Sequence, residues 1–368
     1  MQTVLFTIRH ALPILFLGYA ALVNAEIFLG EDGLGGSPEG DIVTGGRTAS
    51  IDGLYSEALP HRGPAVSLIG AGRYLLIGEG RSGVTVGSDD WLFTDEEMTP
   101  ADASQLETAL AQASDVRDRL AELGTELVVV PVPAKVDVYR DRGPTGAGAV
   151  MQAQYDAFRT GLEARDIASV DTRPALMEAR GDAPVFLTSD THWTPEGARL
   201  VAGTVAASGL VPQGDTAFEK TPARPEEFVG DLVSFVTSDG VAPFLGIAPE
   251  RVTPYVAEEP DAASGGIFAA EAEAVDTILV GTSYSANDNW SFVPALKIAL
   301  GRDILNLAQE GRGPVAPMDD FLADPALERE APDTVIWEYP VRYLGVADEA
   351  DAPVADADAT DDTETLNG

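Results

Sequence analysis

Cysteine is absent from this 368-residue chain, which excludes disulfides, thiolate zinc sites and a cysteine nucleophile together. Histidine is almost as scarce: the three imidazoles are His10, His61 and His192. A multi-histidine metal site is therefore not expected, while a carboxylate-only calcium or magnesium site stays open. Basic residues are few as well, 23 Lys and Arg against 60 Asp and Glu, for a formal net charge of −37. Such a surface repels nucleic acid and anionic lipid headgroups. It reads most simply as a solubility adaptation to a salty exterior. A long hydrophobic run is also lacking. Ala11 to Val23 is apolar but short for a spanning helix, and Pro13 and Gly18 interrupt it.

The apolar stretch has Arg9 and His10 before it and Val23-Asn24-Ala25 after it. That is the form of a signal peptide or of a retained N-terminal membrane anchor over residues 1–25, and either puts the body outside the cytoplasm. Residues 26–64 are Gly-rich and polar and read as a linker or extended arm. Residues 347–368 carry eight acidic residues and no Lys or Arg, so they are expected to be a disordered acidic tail. Between these lies one domain, residues 65–346, and the hydrophobic content of 45% is ample for its core.

Within that domain strands and helices alternate. Arg73–Ile77 and Val84–Val86 read as short strands. Residues 101–123 form an amphipathic helix, with Leu106, Ala109, Leu110, Ala113, Val116, Leu120 and Leu123 on one face. Glu126–Val132 is a continuous apolar strand of the buried parallel kind. Helices are expected over 153–165, 174–180 and 292–300. A further one spans 195–208, with Thr194 as N-cap and Pro195 at the first helical position. Strands are expected over 167–170, 277–280, 303–307 and 334–338, and 209–270 reads as an irregular insertion. The fold class that follows is α/β, a three-layer sandwich with a mostly parallel central sheet.

Three motifs bear on chemistry. Gly78-Glu79-Gly80-Arg81-Ser82-Gly83 matches a dinucleotide fingerprint by letters. A strand pattern follows it where that fingerprint needs a helix, so a hairpin turn is the better reading. Asp190-Thr191-His192 is stronger. In extended chain, residues two apart share a side, so the carboxylate can hold one ring nitrogen and fix the tautomer. His192 is also the one histidine placed to act as a general base. Gly281-Thr282-Ser283 follows an apolar strand, and a nucleophile at the carboxyl end of a parallel strand points into the ligand crevice of an α/β fold. Alone this turn is a common one. Lys135 also follows a strand, and Trp193 can wall a pocket, stack on a sugar or simply fill core. Asn287 and Asn289 can donate to an oxyanion or cap turns. Arg312, Glu338 and Arg342 lie near strand ends without an assigned role.

These residues carry a resemblance. Gly87-Ser88-Asp89-Asp90-Trp91-Leu92-Phe93, Val130-Pro131-Val132-Pro133-Ala134-Lys135 and Asp190-Thr191-His192-Trp193-Thr194-Pro195-Glu196-Gly197 belong to it. So do Gly281-Thr282-Ser283-Tyr284-Ser285, Leu307-Ala308-Gln309-Glu310-Gly311-Arg312-Gly313 and Ile336-Trp337-Glu338-Tyr339-Pro340-Val341-Arg342-Tyr343. Over roughly residues 65–345 the chain resembles the alginate O-acetyltransferase family of the AlgJ/AlgX type, and more the AlgJ type, since Arg342 is followed by an acidic tail. The resemblance implies an SGNH-hydrolase-like fold with permuted motif order, the Asp/His block preceding the Ser block. It implies Ser283 as nucleophile, His192 as base and Asp190 as its orienting acid. From their places near the strand ends and the two motif blocks, Trp193, Lys135, Tyr284 and Arg312 are the expected substrate-binding positions. The resemblance also implies a periplasmic enzyme that acetylates an exopolysaccharide, with a membrane-bound O-acyltransferase as acetyl supplier and other polysaccharide secretion or modification proteins as partners. No metal or cofactor is expected, and no nucleic acid. An acetylesterase using the same triad and a non-catalytic polysaccharide-binding scaffold stay open. The acidic body sits awkwardly with a polyanion such as alginate, because like charges repel.

Overall fold

The computed structural model of the protein describes residues 17–25, 62–259, 276–327 and 329–346. Most of the expected linker, the acidic tail and the first part of the expected export segment lie outside the described residues. Two compact units divide at Leu76 and Ile77. The first contains helical residues 17–25 and nearly all of α1 (Arg62–Ile77). No helix among the described residues is long and apolar enough to cross a membrane. The strand expected over Arg73–Ile77 is instead the end of α1, because a short apolar run has no periodicity that separates strand from helix.

The second unit opens with a hairpin, β1 (Val84–Val86) antiparallel to β2 (Leu92–Thr94). The turn expected at Gly78–Gly83 only links α1 to β1. The tight turn lies at Asp89 and Asp90, whose φ values of 54° and 62° suit the left-handed corner of a two-residue hairpin. Next come α2 (Ala103–Glu122), with an Asp102–Gln105 capping box, β3 (Glu126–Val132), α3 (Lys135–Val138) and α4 (Ala147–Glu163). They are followed by β4 (Ala168–Ser169), α5 (Arg173–Ala179) and α6 (Pro195–Ser208). Thr194 caps α6 as expected, its Oγ1 accepting from Gly197 N at 3.1 Å.

The expected irregular insertion is partly ordered. Its described part holds two antiparallel ladders, β5 (Glu219–Pro222) with β8 (Tyr255–Glu258) and β6 (Glu226–Phe228) with β7 (Glu250–Val252). A short 3₁₀ helix, Asp231–Phe235, lies between them in sequence. The ladders are short and polar, so their alternation is too brief to stand out among the Pro and Gly residues. The chain then continues through β9 (Thr277–Val280), α7 (Ser283–Ala286), α8 (Phe292–Leu300), β10 (Leu305–Asn306), α9 (Val315–Ala323) and β11 (Thr334–Pro340).

The central sheet has the order β10-β9-β11-β3-β4, and every pairing in it is parallel. Its side chains alternate between two cores, as the pleat requires. Val128, Val130 and Ile336 join Ala198, Val201, Val205, Leu296 and Leu300 of α6 and α8. Leu127, Val129, Val335 and Trp337 join Leu110, Val116 and Leu120 of α2, Phe158 of α4 and Phe321 of α9. The three-layer sandwich is thus present, each fully buried Val or Leu contributing roughly 1.5–3 kcal/mol. Because all strands run one way, β3 and β9 release their chains at the same edge of the sheet, where ligands bind in such folds.

Candidate active site

Residues Val185 to Thr194 form a ribbon, with Thr194 N donating to Val185 O and Leu187 N to His192 O, each at 3.0 Å. His192 sits near the tip of this ribbon. Its backbone N–H donates to Asp190 Oδ1 at 2.9 Å, and the same oxygen lies 2.6 Å from His192 Nδ1. The other ring nitrogen, Nε2, lies 2.7 Å from Ser283 Oγ. The three residues expected to form a triad are therefore brought together in the order carboxylate, imidazole, hydroxyl. With Nδ1 protonated toward Asp190, Nε2 is the free base facing the serine. Trp290 stacks on the imidazole at 5.0 Å between centroids and 19° between planes, which fixes the ring's tilt.

Asp190 is buried. Burial pushes its pKa up, but the hydrogen bond and charge of His192, with the amides of Asp231 and His192, outweigh that and hold it below the ordinary 3.8. A folded-state value below the unfolded one adds stability that is complete above about pH 4 and is lost as pH falls through the lower folded value. Asp190→Asn is therefore expected to flatten the acid limb of Tm against pH below about 4, measured by thermal scans on both proteins.

Ser283 opens α7, and Thr282 is the residue before it. A buried carboxylate, Glu338 of β11, holds this turn from beneath. It accepts from Thr282 N at 2.7 Å, from Thr282 Oγ1 at 3.0 Å and from Ser285 Oγ at 3.1 Å, all on Oε2. Gly281 is required at the turn, since a Cβ there would meet Glu338 Oε2 at 2.5 Å. Two indoles tie the backbone of Ser283 and Tyr284 to its surroundings. Trp290 Nε1 donates to Ser283 O and Trp193 Nε1 to Tyr284 O, each at 3.1 Å. Asn287 caps its own turn, its Oδ1 accepting from Asn289 N at 2.9 Å.

Three of the four expected substrate-binding positions prove to be structural. Trp193 and Tyr284 are buried, and the Tyr284 hydroxyl donates to Thr191 O at 2.6 Å. Lys135 is 1% exposed, and its ammonium donates to Leu92 O, Thr188 O and Asp190 O at 2.6, 2.9 and 2.8 Å. Those carbonyls come from β2 and from the ribbon tip, so Lys135 pins the Asp190 segment rather than reaching a substrate. Burial lowers its pKa to about 8, which leaves it cationic at neutral pH. Arg312 alone of the four is exposed, paired with Gln309 and Asp320.

Asp231 was not singled out by sequence. It lies in the insertion, where nothing local marks it. Its carboxylate accepts from Thr191 N at 2.8 Å and Thr191 Oγ1 at 2.5 Å, and its own N–H donates to Asp190 Oδ2 at 3.0 Å. Asp190 is thereby bonded on both oxygens. Asp190, His192 and Asp231 place ligand atoms within 4.8 Å of one another, a spacing a cation could use. Those atoms are hydrogen-bonded to each other or to Thr191, which suits proton transfer better than ligation.

The chain has counterparts among known proteins. The family model for the SGNH hydrolase-like domain of acetyltransferase AlgX matches residues 84–341. A protein of Azotobacter vinelandii described as a probable alginate O-acetylase, AlgJ, is 35% identical over 343 residues, covering 90% of this chain and 88% of its own. The O-acetyltransferase domain of Pseudomonas putida AlgJ superposes with a TM-score of 0.65 at 32% identity, over 73% of this chain and 95% of that domain. Pseudomonas aeruginosa AlgX gives 0.56 at 25% identity, over 71% of this chain and 66% of its own. On the extent of these matches, the chain belongs to the AlgJ/AlgX family of SGNH hydrolase-like O-acetyltransferases.

Proposed function

We propose that this chain is a periplasmic O-acetyltransferase that moves an acetyl group through Ser283 onto hydroxyls of an exopolysaccharide, alginate or a close relative of it. The observation that carries the reading is the unbroken chain Asp190–His192–Ser283, with contacts of 2.6 and 2.7 Å. His192 Nε2 takes the Ser283 proton as Oγ attacks the acetyl carbonyl, and the donor's leaving group departs with that proton. A sugar hydroxyl then gives its proton to Nε2 and attacks the acetyl-serine. Ester forms on the sugar, and Oγ is reprotonated.

The amide of Thr282 is spent on Glu338, so the Ser283 amide at the start of α7 is the candidate oxyanion donor within that turn. The names of the relatives favour alginate over the reservation raised by the chain's charge. The apolar stretch within residues 1–25 supports export, with a membrane-bound O-acyltransferase supplying acetyl and other polysaccharide-modification proteins as partners.

The test uses an activated acetyl ester with alginate oligosaccharides, read by mass spectrometry. An acetyl adduct on Ser283 that disappears when oligosaccharide is added, with acetylated sugar as product, is the expected result. Free acetate alone would make the protein an esterase. Retained polymer binding without any adduct would make it a scaffold.

A further inference from the structure

A cavity of about 280 Å³ lies at the base of the His192 ribbon, lined by Pro184, Thr194 and Glu196 on one side and Lys220, Arg251 and Tyr255 on the other. Neither Ser283 nor His192 lines it. Its size suits one sugar ring rather than a drug-sized ligand, whose sites start at roughly 300 Å³. Tyr255 is 3% exposed, and its hydroxyl has no hydrogen-bond partner among the described residues. A buried phenol left unpaired costs stability, so a group that fills the cavity and accepts its hydrogen bond is favoured. Burial raises the Tyr255 pKa to about 12, which keeps the hydroxyl a donor at neutral pH.

The charge around the cavity runs against the rest of the chain. Lys220 Nζ lies 4.0 Å from the centre of the Tyr255 ring. Arg251 pairs with Glu227 at 2.7 Å and is otherwise exposed. The one acid on the wall, Glu196, is held on both oxygens by Arg199 at 2.6 and 2.8 Å. Among the lining residues, Lys220 and Arg251 stand against the single carboxylate of Glu196, in a chain whose net charge is −37. Thr194 and Pro195 bring the positive end of the 14-residue α6 to the same wall.

Both walls connect to the catalytic groups. Thr194 is two residues from His192 on the ribbon, about 7 Å of extended backbone. Tyr255 N donates to Ser291 Oγ at 2.8 Å, and Ser291 follows the Trp290 that stacks on His192.

We propose that this cavity is an acceptor subsite that seats one carboxylated sugar of the polymer, with its carboxylate at Lys220 and Arg251 and a ring oxygen at the Tyr255 hydroxyl. The inference rests on the acetyltransferase reading and deepens it, because it gives an acidic protein a local means of holding a polyanion. A sugar seated here leaves its neighbour in the polymer to present a hydroxyl toward Ser283.

The experiment is calorimetric titration of the full chain carrying Ser283→Ala. The probes are short alginate oligosaccharides and the same oligosaccharides with carboxyls reduced to alcohols. The native probe is expected to bind more tightly than the reduced one. Lys220→Gln and Arg251→Gln should each weaken the native probe on the order of tenfold, and Tyr255→Phe about 3- to 10-fold. Lys220 and Arg251 are exposed and Tyr255→Phe removes one atom, so unchanged thermal transitions serve as the folding control. Equal affinity for the two probes would overturn the carboxylate assignment. Variants that bind as tightly as the parent would overturn the site. The binding readout involves no acetyl chemistry. Lys220-dependent binding beside a failed transfer assay would sink the enzyme reading alone, and transfer with Lys220-independent binding would sink the subsite alone.

Discussion

Replacing Ser283 with alanine is expected to lower kcat/KM for acetyl transfer by about 10⁴- to 10⁶-fold, because the acyl-enzyme route closes and only binding and oxyanion stabilisation remain. His192→Ala should cost about as much, and the double variant little more than either single one, since the two groups act on one proton. Asp190→Asn is expected to lose about 10⁴-fold through the wrong imidazole tautomer. Here the tautomer is doubly specified. Asp190 Oδ1 takes both the backbone N–H and the ring nitrogen of His192, while Asp231 N occupies Oδ2. Steady-state rates with an acetyl ester decide the matter. Transfer that survives Ser283→Ala, or strictly multiplicative losses in the double variant, would remove the proposed nucleophile–base pair.

The second large effect belongs to Glu338, which touches no substrate. Glu338→Ala strands Thr282 N, Thr282 Oγ1 and Ser285 Oγ in the core, because all three donate to one carboxylate oxygen. The expected cost is about 3–5 kcal/mol, read as a Tm lower by roughly 5–15 °C. Misplacing the serine turn by about 1 Å should also lower kcat on the order of 10²-fold in whatever fraction stays folded.

Glu338→Gln separates the two roles. A glutamine oxygen can occupy the Oε2 position and keep the three donors satisfied. Burial raises the Glu338 pKa above the ordinary 4.5, against the pull of the Thr282 and Ser285 donors and of Arg342. A carboxyl with a raised folded pKa binds more protons in the folded state, so its contribution falls as pH rises from about 4.5 through the folded value. Glu338→Gln should abolish that decline and stay close to the parent in Tm at neutral pH. A glutamine variant as damaged as the alanine one would mean the carboxylate's charge, rather than its acceptor oxygen, holds the turn.

What sequence made readable was local or periodic. The runs Glu126–Val132 and Thr334–Glu338 are apolar on both faces, which only a strand covered on both sides can satisfy. The Asp190–His192 contact spans two residues of extended chain. Ser283 follows a strand whose end defines the crevice. The errors came from long-range contacts. Lys135 looked like a solvent-seeking cation because its three acceptors are backbone carbonyls of Leu92, Thr188 and Asp190, which have no sequence signature. Trp193 and Tyr284 looked like substrate-binding positions because their hydrogen-bond partners lie 91 and 93 residues away. Asp231 lies 41 residues from Asp190, in a stretch without periodicity.

The stitching between the two motif blocks has a consequence for how the family can vary. Trp193 Nε1 to Tyr284 O and the Tyr284 hydroxyl to Thr191 O both end on main-chain oxygens. A main-chain oxygen is present whatever residue supplies it. The alignment of His192 and Ser283 is therefore insulated from the composition and length of much of the chain between them. Lengthening a surface loop costs only a logarithmic entropy increment. Apart from the stretches around Asp231 and around Glu250, whose carboxylate accepts from Ser189 N and Oγ, the segment joining the two blocks is a place where descendants of this fold can acquire new acceptor-binding surfaces without retuning the chemistry.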